Sequence, residues 1–188
     1  MRYLALLYLL IIPDLKAQDL SSGLDIGAEC PAFDPVHVSG PDKNSTACPM
    51  CKYGSRQGVM VWVNDNDWAK LDPILLRLEL EIRTRGLREF RAFVMYMNPE
   101  RKSKQALIEE CRHQAKRLGL HHLALTCVMS ATDHETSALF SINPDKRVKN
   151  TVLVYSRRKV VYKVINLEAS GLNDLLKSCD RQFAMNPL

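Results

Sequence analysis

The chain has 188 residues, of which 46% are hydrophobic, 25% charged and 7% aromatic. This mixture excludes a collagen-like or low-complexity chain and argues against wholesale disorder, and the length suits one domain with a real core. Net charge is +5, from 26 Lys+Arg against 21 Asp+Glu, an excess too mild and too scattered for a nucleic-acid binder.

Met1 to Ala17 reads as an address. Arg2 gives a positive start, Leu4 to Ile12 is an apolar run, and Pro13 breaks it. The run is far short of the roughly 20 residues that a membrane helix needs. It predicts a secretory signal peptide, residues 1–17, cleaved near Ala17. The mature protein is expected to be secreted or periplasmic, with no membrane span, in a compartment where disulfides persist.

Residues 18–58 hold most of the Pro and Gly, including Gly23, Pro31, Pro35, Pro41 and Gly54. They predict a loop-rich N-terminal extension with short strands and turns, Ala32 to Val38 forming one strand of a hairpin. From Val59 the pattern sharpens into a core over residues 59–188. Val59 to Val63 is an apolar run typical of a strand buried on both faces. Leu71, Leu75, Leu78 and Ile82 fall at helical spacing, with Pro73 in the first turn and Gly86 at the C-terminal cap. Phe90 to Met97 is a second strand, and Asn98-Pro99 opens a helix through Leu118. Leu123 to Met129 is a third strand. Thr132 and Glu135 form a capping box before a short helix through Phe140. Thr151 to Tyr155 and Val160 to Ile165 form a hairpin turning at Ser156-Arg157-Arg158-Lys159, and Gly171 to Arg181 is a last helix. This alternation predicts an α/β fold, with a central mixed, mostly parallel sheet and helices on both faces.

Six cysteines are too few for a disulfide-dense scaffold, so their placement matters most. Cys48-Pro49-Met50-Cys51 is a CxxC motif, in which two sulfurs on one turn close a small disulfide. Lys52 follows directly and supplies positive charge. Closing Cys30 to Cys48 instead would span about 19 residues and contribute about 3 kcal/mol in the loop-entropy model. Cys30, His37, Cys48 and Cys51 do not have the spacing of a zinc site, so no metal is expected. Cys111, Cys127 and Cys179 sit on apolar helix faces and in a strand, as small buried hydrophobes.

The element order, the opening Ile26-Gly27-Ala28-Glu29-Cys30-Pro31-Ala32-Phe33, the CxxC and the run Asn150 to Tyr155 resemble the thioredoxin fold. The N-terminal extension is similar to that of redoxins of the peroxiredoxin and TlpA type. That resemblance implies a CxxC directly after the first central strand, where this chain has Asn64 to Trp68 and no cysteine. It also implies a cis-proline at the position of Asn150. Pro41-x-x-x-Ser45-x-x-Cys48 matches the spacing of a peroxidatic site, whose arginine would align with Lys149 or Arg147, but it precedes the central strand. A peroxidase is therefore the less favoured enzyme.

The resemblance implies thiol–disulfide exchange with protein thiols or disulfides. Cys48 would attack, Cys51 resolve, Lys52 support the thiolate, and Cys30 act as a third partner. No organic cofactor is implied, because the dithiol carries the electrons. The rival reading is a redox-inactive binding protein whose arm is stapled by a structural disulfide.

Overall fold

The apolar run after Gly58 becomes the middle strand of the sheet. A computed structural model describes residues 20–128 and 134–185. The expected signal peptide and the expected cap at Thr132 lie outside them. In chain order the elements are β1 (Val36–His37), α1 (Pro49–Tyr53), β2 (Gln57–Val63), α2 (Trp68–Arg85), β3 (Arg91–Tyr96), α3 (Lys104–Arg117), β4 (Ala124–Cys127), α4 (His134–Leu139), β5 (Asn150–Ser156), β6 (Lys159–Ile165) and α5 (Leu172–Met185). The strands lie in the order β1-β4-β3-β2-β5-β6.

The sheet is mixed, but not mostly parallel as expected. β2–β3 and β3–β4 are parallel. The β1–β4, β2–β5 and β5–β6 pairings are antiparallel. The difference comes from both edges. The hairpin β5–β6 contributes two antiparallel pairings, and the arm adds β1 outside β4. Among the described residues, no helix is long and apolar enough to cross a membrane.

Alternate side chains of each strand feed two separate cores. Val59, Val61 and Val63 face α2, α3 and α5 through Leu75, Leu107 and Leu175. Met60 and Trp62 face the other way, toward α1, the arm residues Cys30 and Phe33, and Phe140 with Ile142. Phe33, Trp62 and Phe140 form an aromatic cluster with ring centroids 4.6 to 5.4 Å apart. Cys111, Cys127 and Cys179 are buried free thiols, as their positions predict.

Several boundaries differ from the sequence reading. α2 begins earlier, because the Asp67 side chain caps Lys70 N–H. α3 begins later, at a Ser103 cap. Asn98-Pro99 does not open it. Asn98 instead closes a loop, its amide accepting Lys102 N–H and donating to Lys102 C=O, both at 2.8 Å. α1 was not expected. Its signal is the proline after Cys48, which suits the first helical turn.

Glu79 breaks the apolar face of α2 and is buried there. Its carboxylate accepts N–H groups from His121, His122 and Leu123, and contacts His122 Nδ1 at 2.7 Å. Burial pushes its pKa up, but these donors outweigh burial and hold it below the usual glutamate value. A carboxyl with a lowered native pKa contributes stability above its unfolded pKa. That contribution is lost as pH falls through the native value. Glu79→Gln is expected to lower unfolding free energy by about 1–3 kcal/mol at neutral pH. In denaturant melts across pH, the gap to wild type should close below the ordinary glutamate range.

Candidate dithiol site

The site is built on α1, a single turn of helix entering the amino end of β2. Met50 and Tyr53, three apart, bury against the sheet face that carries Met60 and Phe93. Tyr53 lies 5.8 Å from Phe93, and the Arg91 guanidinium sits 4.1 Å above its ring. With that face anchored, Cys51 and Lys52 turn to solvent. The β5–β6 turn grips the helix end. Arg158 N–H donates to Gly54 C=O at 2.7 Å, and Arg157 N–H to Arg56 C=O at 3.1 Å. Arg157 and Arg158 both have positive φ, which a two-residue hairpin turn requires.

Cys48 and Cys51 are joined by a disulfide, with Cα atoms 5.3 Å apart. Cys48 is the N-cap of α1, and its Sγ accepts Cys51 N–H at 3.0 Å. Cys48 is half-buried and Cys51 exposed. The structure keeps Cys30 out of this bond. Cys30 is buried as a free thiol, and its pKa is pushed up to about 12 by burial and then by Glu29. The alternative Cys30–Cys48 staple is thus not formed. Lys52 is paired with the buried carboxylate of Asp42 rather than aimed at a sulfur. Burial raises the Asp42 pKa, while Lys52 and the Tyr53 hydroxyl lower it further, for a net fall. The Ser45 hydroxyl, which suited a peroxidatic motif, donates to Asp42 C=O and accepts Ala47 N–H within its turn.

One residue of this site was not picked out as a positioning group. His37 is fully buried on β1, with Nε2 2.8 Å from the carbonyl of Ala47, next to Cys48. A carbonyl only accepts, so Nε2 carries the hydrogen. Nδ1 is buried without a partner. Burial, the largest cause, lowers the His37 pKa and keeps the ring neutral. His37 N–H donates to Ser45 C=O and its carbonyl accepts Asn44 N–H, each at 2.9 Å, so this turn together with the β1–β4 pairing brings His37 here. Among the described residues, no group of three or more metal-ligating side chains is assembled.

The end of the sheet that thioredoxins use for chemistry is occupied differently. Asn64 Nδ2 donates to Pro144 C=O at 3.2 Å, tying that loop to the end of β2. Asn150 pairs with Val63 and exchanges two bonds with the backbone of Leu167, at 2.8 and 2.9 Å. Trp68 stacks on Tyr96 at 4.7 Å and donates to Glu110. A groove of about 590 Å³ remains beside Asp65, Leu71, Lys149 and Leu167, without a cysteine. Cys48 and Cys51 lie on the opposite face of the sheet from α2.

No family model and no curated protein sequence matches this chain. Solved structures do. A peroxiredoxin-like protein from Aquifex aeolicus matches at TM-score 0.59 and 12% identity, covering 86% of this chain and 90% of its own. Mycobacterium tuberculosis AhpC matches at TM-score 0.60 and 14% identity, covering 84% and 97%. The C-terminal domain of a putative thiol-disulfide oxidoreductase from Bacteroides thetaiotaomicron matches at 0.57 and 12%, covering 82% and 95%. The chain has a thioredoxin-like redoxin fold. The fold expectation therefore stands, and the disulfide lies away from the site that thioredoxins use.

Gly54 sets how closely the hairpin approaches α1. A Cβ there would lie 2.4 Å from Met50 O and 2.7 Å from Arg158 Cγ. Gly54→Ala is expected to cost roughly 1–3 kcal/mol in chemical denaturation, as overpacking does. An unchanged melt would show that the hairpin does not clamp the helix.

Proposed function

We propose that this chain is an exported redoxin that exchanges thiols and disulfides through Cys48 and Cys51. The observation that carries the reading is the split between the two sulfurs. Cys51 is the exposed half of the disulfide, and Cys48 Sγ accepts a backbone N–H at the helix start. A sulfur held by such a donor is the better leaving thiolate. The apolar run Leu4 to Ile12 supports export to a compartment where this bond persists.

In the reductive direction, a partner thiolate attacks Cys51 Sγ. A new bond forms between partner and Cys51, the Cys48–Cys51 bond breaks, and Cys48 leaves with the electron pair. A second partner thiolate attacks the first partner's sulfur and releases Cys51. Two partner thiols become one disulfide, and the protein gains two electrons and two protons. In the oxidative direction the same mixed disulfide forms on Cys51, and Cys48 resolves it. This exchanges the two roles the motif alone suggested, because exposure favours Cys51 for first contact. Lys52 acts at one remove, through Asp42 and Tyr53, to hold the turn.

A second reading has its own observation. The first turn of α2 carries no cysteine, and the disulfide lies across the sheet from it. That placement suits a structural staple in a binding protein. Two measurements separate them. For exchange, the pair is expected to equilibrate with dithiol buffers above about −300 mV, and Cys51→Ser to reduce turnover of a model disulfide to background. A potential below that value, with no turnover by wild type, would establish the staple.

A further inference from the structure

Of the cysteines outside the candidate dithiol, two meet. Cys111 lies on the buried face of α3, with Leu107, Ile108 and Ala115. Cys127 is the last residue of β4. Both are free thiols, 0% and 1% exposed. α3 packs on β4, and the two thiols are hydrogen-bonded to each other across that contact. Among the described residues, Cys30 and Cys179 are the other free thiols, and neither is hydrogen-bonded to a sulfur. The contact thus belongs to this pair and not to buried cysteines in general.

The β3–β4 register sets Cys127 beside Tyr96, on the same face of the sheet. Trp68 stacks on Tyr96 and donates to Glu110, the chain neighbour of Cys111. The pair therefore lies where the start of α2, the body of α3 and the end of β4 converge. Cys48 and Cys51 are on the other face, so the sheet keeps their disulfide from reaching this pair within the fold. An oxidant for it must come from outside the molecule.

We infer that Cys111 and Cys127 are a second redox pair, which a small-molecule disulfide oxidises to a bond stapling α3 to β4. The inference does not rest on exchange at Cys48 and Cys51. The hydrogen bond with Cys127, and then burial, push the Cys111 pKa well above the usual thiol value. The pair is therefore slow, and reacts as the α3–β4 contact opens. One thiolate attacks the small disulfide, a mixed disulfide forms, and half of the oxidant leaves as a thiolate. The neighbouring thiolate then attacks the protein sulfur of that mixed disulfide, and the other half leaves. Two protein thiols give up two electrons and two protons, and the oxidant becomes two thiols. The new bond closes a loop of about 17 residues, which disfavours the unfolded chain in the loop-entropy model.

The test incubates the folded chain with glutathione disulfide, alkylates the remaining thiols in denaturant, and maps the digest without reductant. The Cys111 and Cys127 peptides are expected to be joined, with Cys30 and Cys179 still alkylated. Cys48 and Cys51 fall in a different peptide, so the result is read whatever that pair does. Oxidation should raise the urea midpoint by roughly 1 M, and Cys111→Ala should lose this rise. Cys111 and Cys127 both alkylated after prolonged incubation would overturn the inference. So would Cys30 and Cys179 being consumed at the same rate, because the reaction would then follow unfolding rather than the contact. A joined peptide with an unmoved midpoint, or a rise that persists in Cys111→Ala, overturns the staple.

Discussion

The handedness of two successive crossovers governs the architecture. β2, β3 and β4 are parallel neighbours stepping in one direction across the sheet. Right-handed connections moving the same way place both of their helices on the same face. α2 and α3 accordingly share one core, with α5 beside them. β2 is apolar on both faces, so Met60, Trp62, Phe93 and Leu153 would stand bare on the other side. No helix of the parallel unit can reach them. The residues before β2 and the return toward β5 must cover that face, and Phe33, Met50, Tyr53 and Phe140 do so. Burying a side chain of this size contributes about 1.5–3 kcal/mol. Leaving the face open would thus cost about as much as a typical domain's whole stability margin.

This constraint explains how a disulfide in a loop-rich arm is held in register. α1 is too short to be stable alone. Met50 and Tyr53 fix its rotation, and the Arg157–Arg158 turn fixes its end. His37 fixes its start, through the carbonyl before Cys48. Three separate parts of the chain therefore converge on five residues. At the carboxyl ends of the strands, the positions a thioredoxin would give to its dithiol and cis-proline carry Asn64 and Asn150. Both spend their amides on loop backbone. Side chains committed to buried carbonyls are costly to free. That end has therefore become framework, while its groove persists.

The strands and long helices were legible because their signals are local. Val59 to Val63 is apolar throughout, and Leu71 to Ile82 repeats at helical spacing. The fold class followed from their order. The sheet's balance of parallel and antiparallel pairs did not, because β1 is two residues long and joins β4 from far away in sequence. Of the site, the disulfide was legible in Cys48 and Cys51, and Pro49 already marked a helix start. The surroundings were not. Arg91 and Arg158 lie far from Cys51 along the chain and reach the helical turn that carries it only through sheet registry, while His37 reaches its start through a loop closed at Ser45. Glu79 was hidden for a related reason. A carboxylate on an apolar helix face looks solvated until the strand that supplies its donors is in place.

The same registry separates two properties that an N-terminal helix cysteine in a thioredoxin-like dithiol would combine. A sulfur that caps a helix gains a donor and loses exposure, because its carbonyl side is tied into the preceding turn. Here the Ala47 carbonyl is held by His37, which draws Cys48 toward the sheet and leaves Cys51 outward. Charge stabilisation and access therefore fall on different sulfurs of one bond. Thiol exchange tolerates the division, since the attacked sulfur and the leaving sulfur need not share an environment.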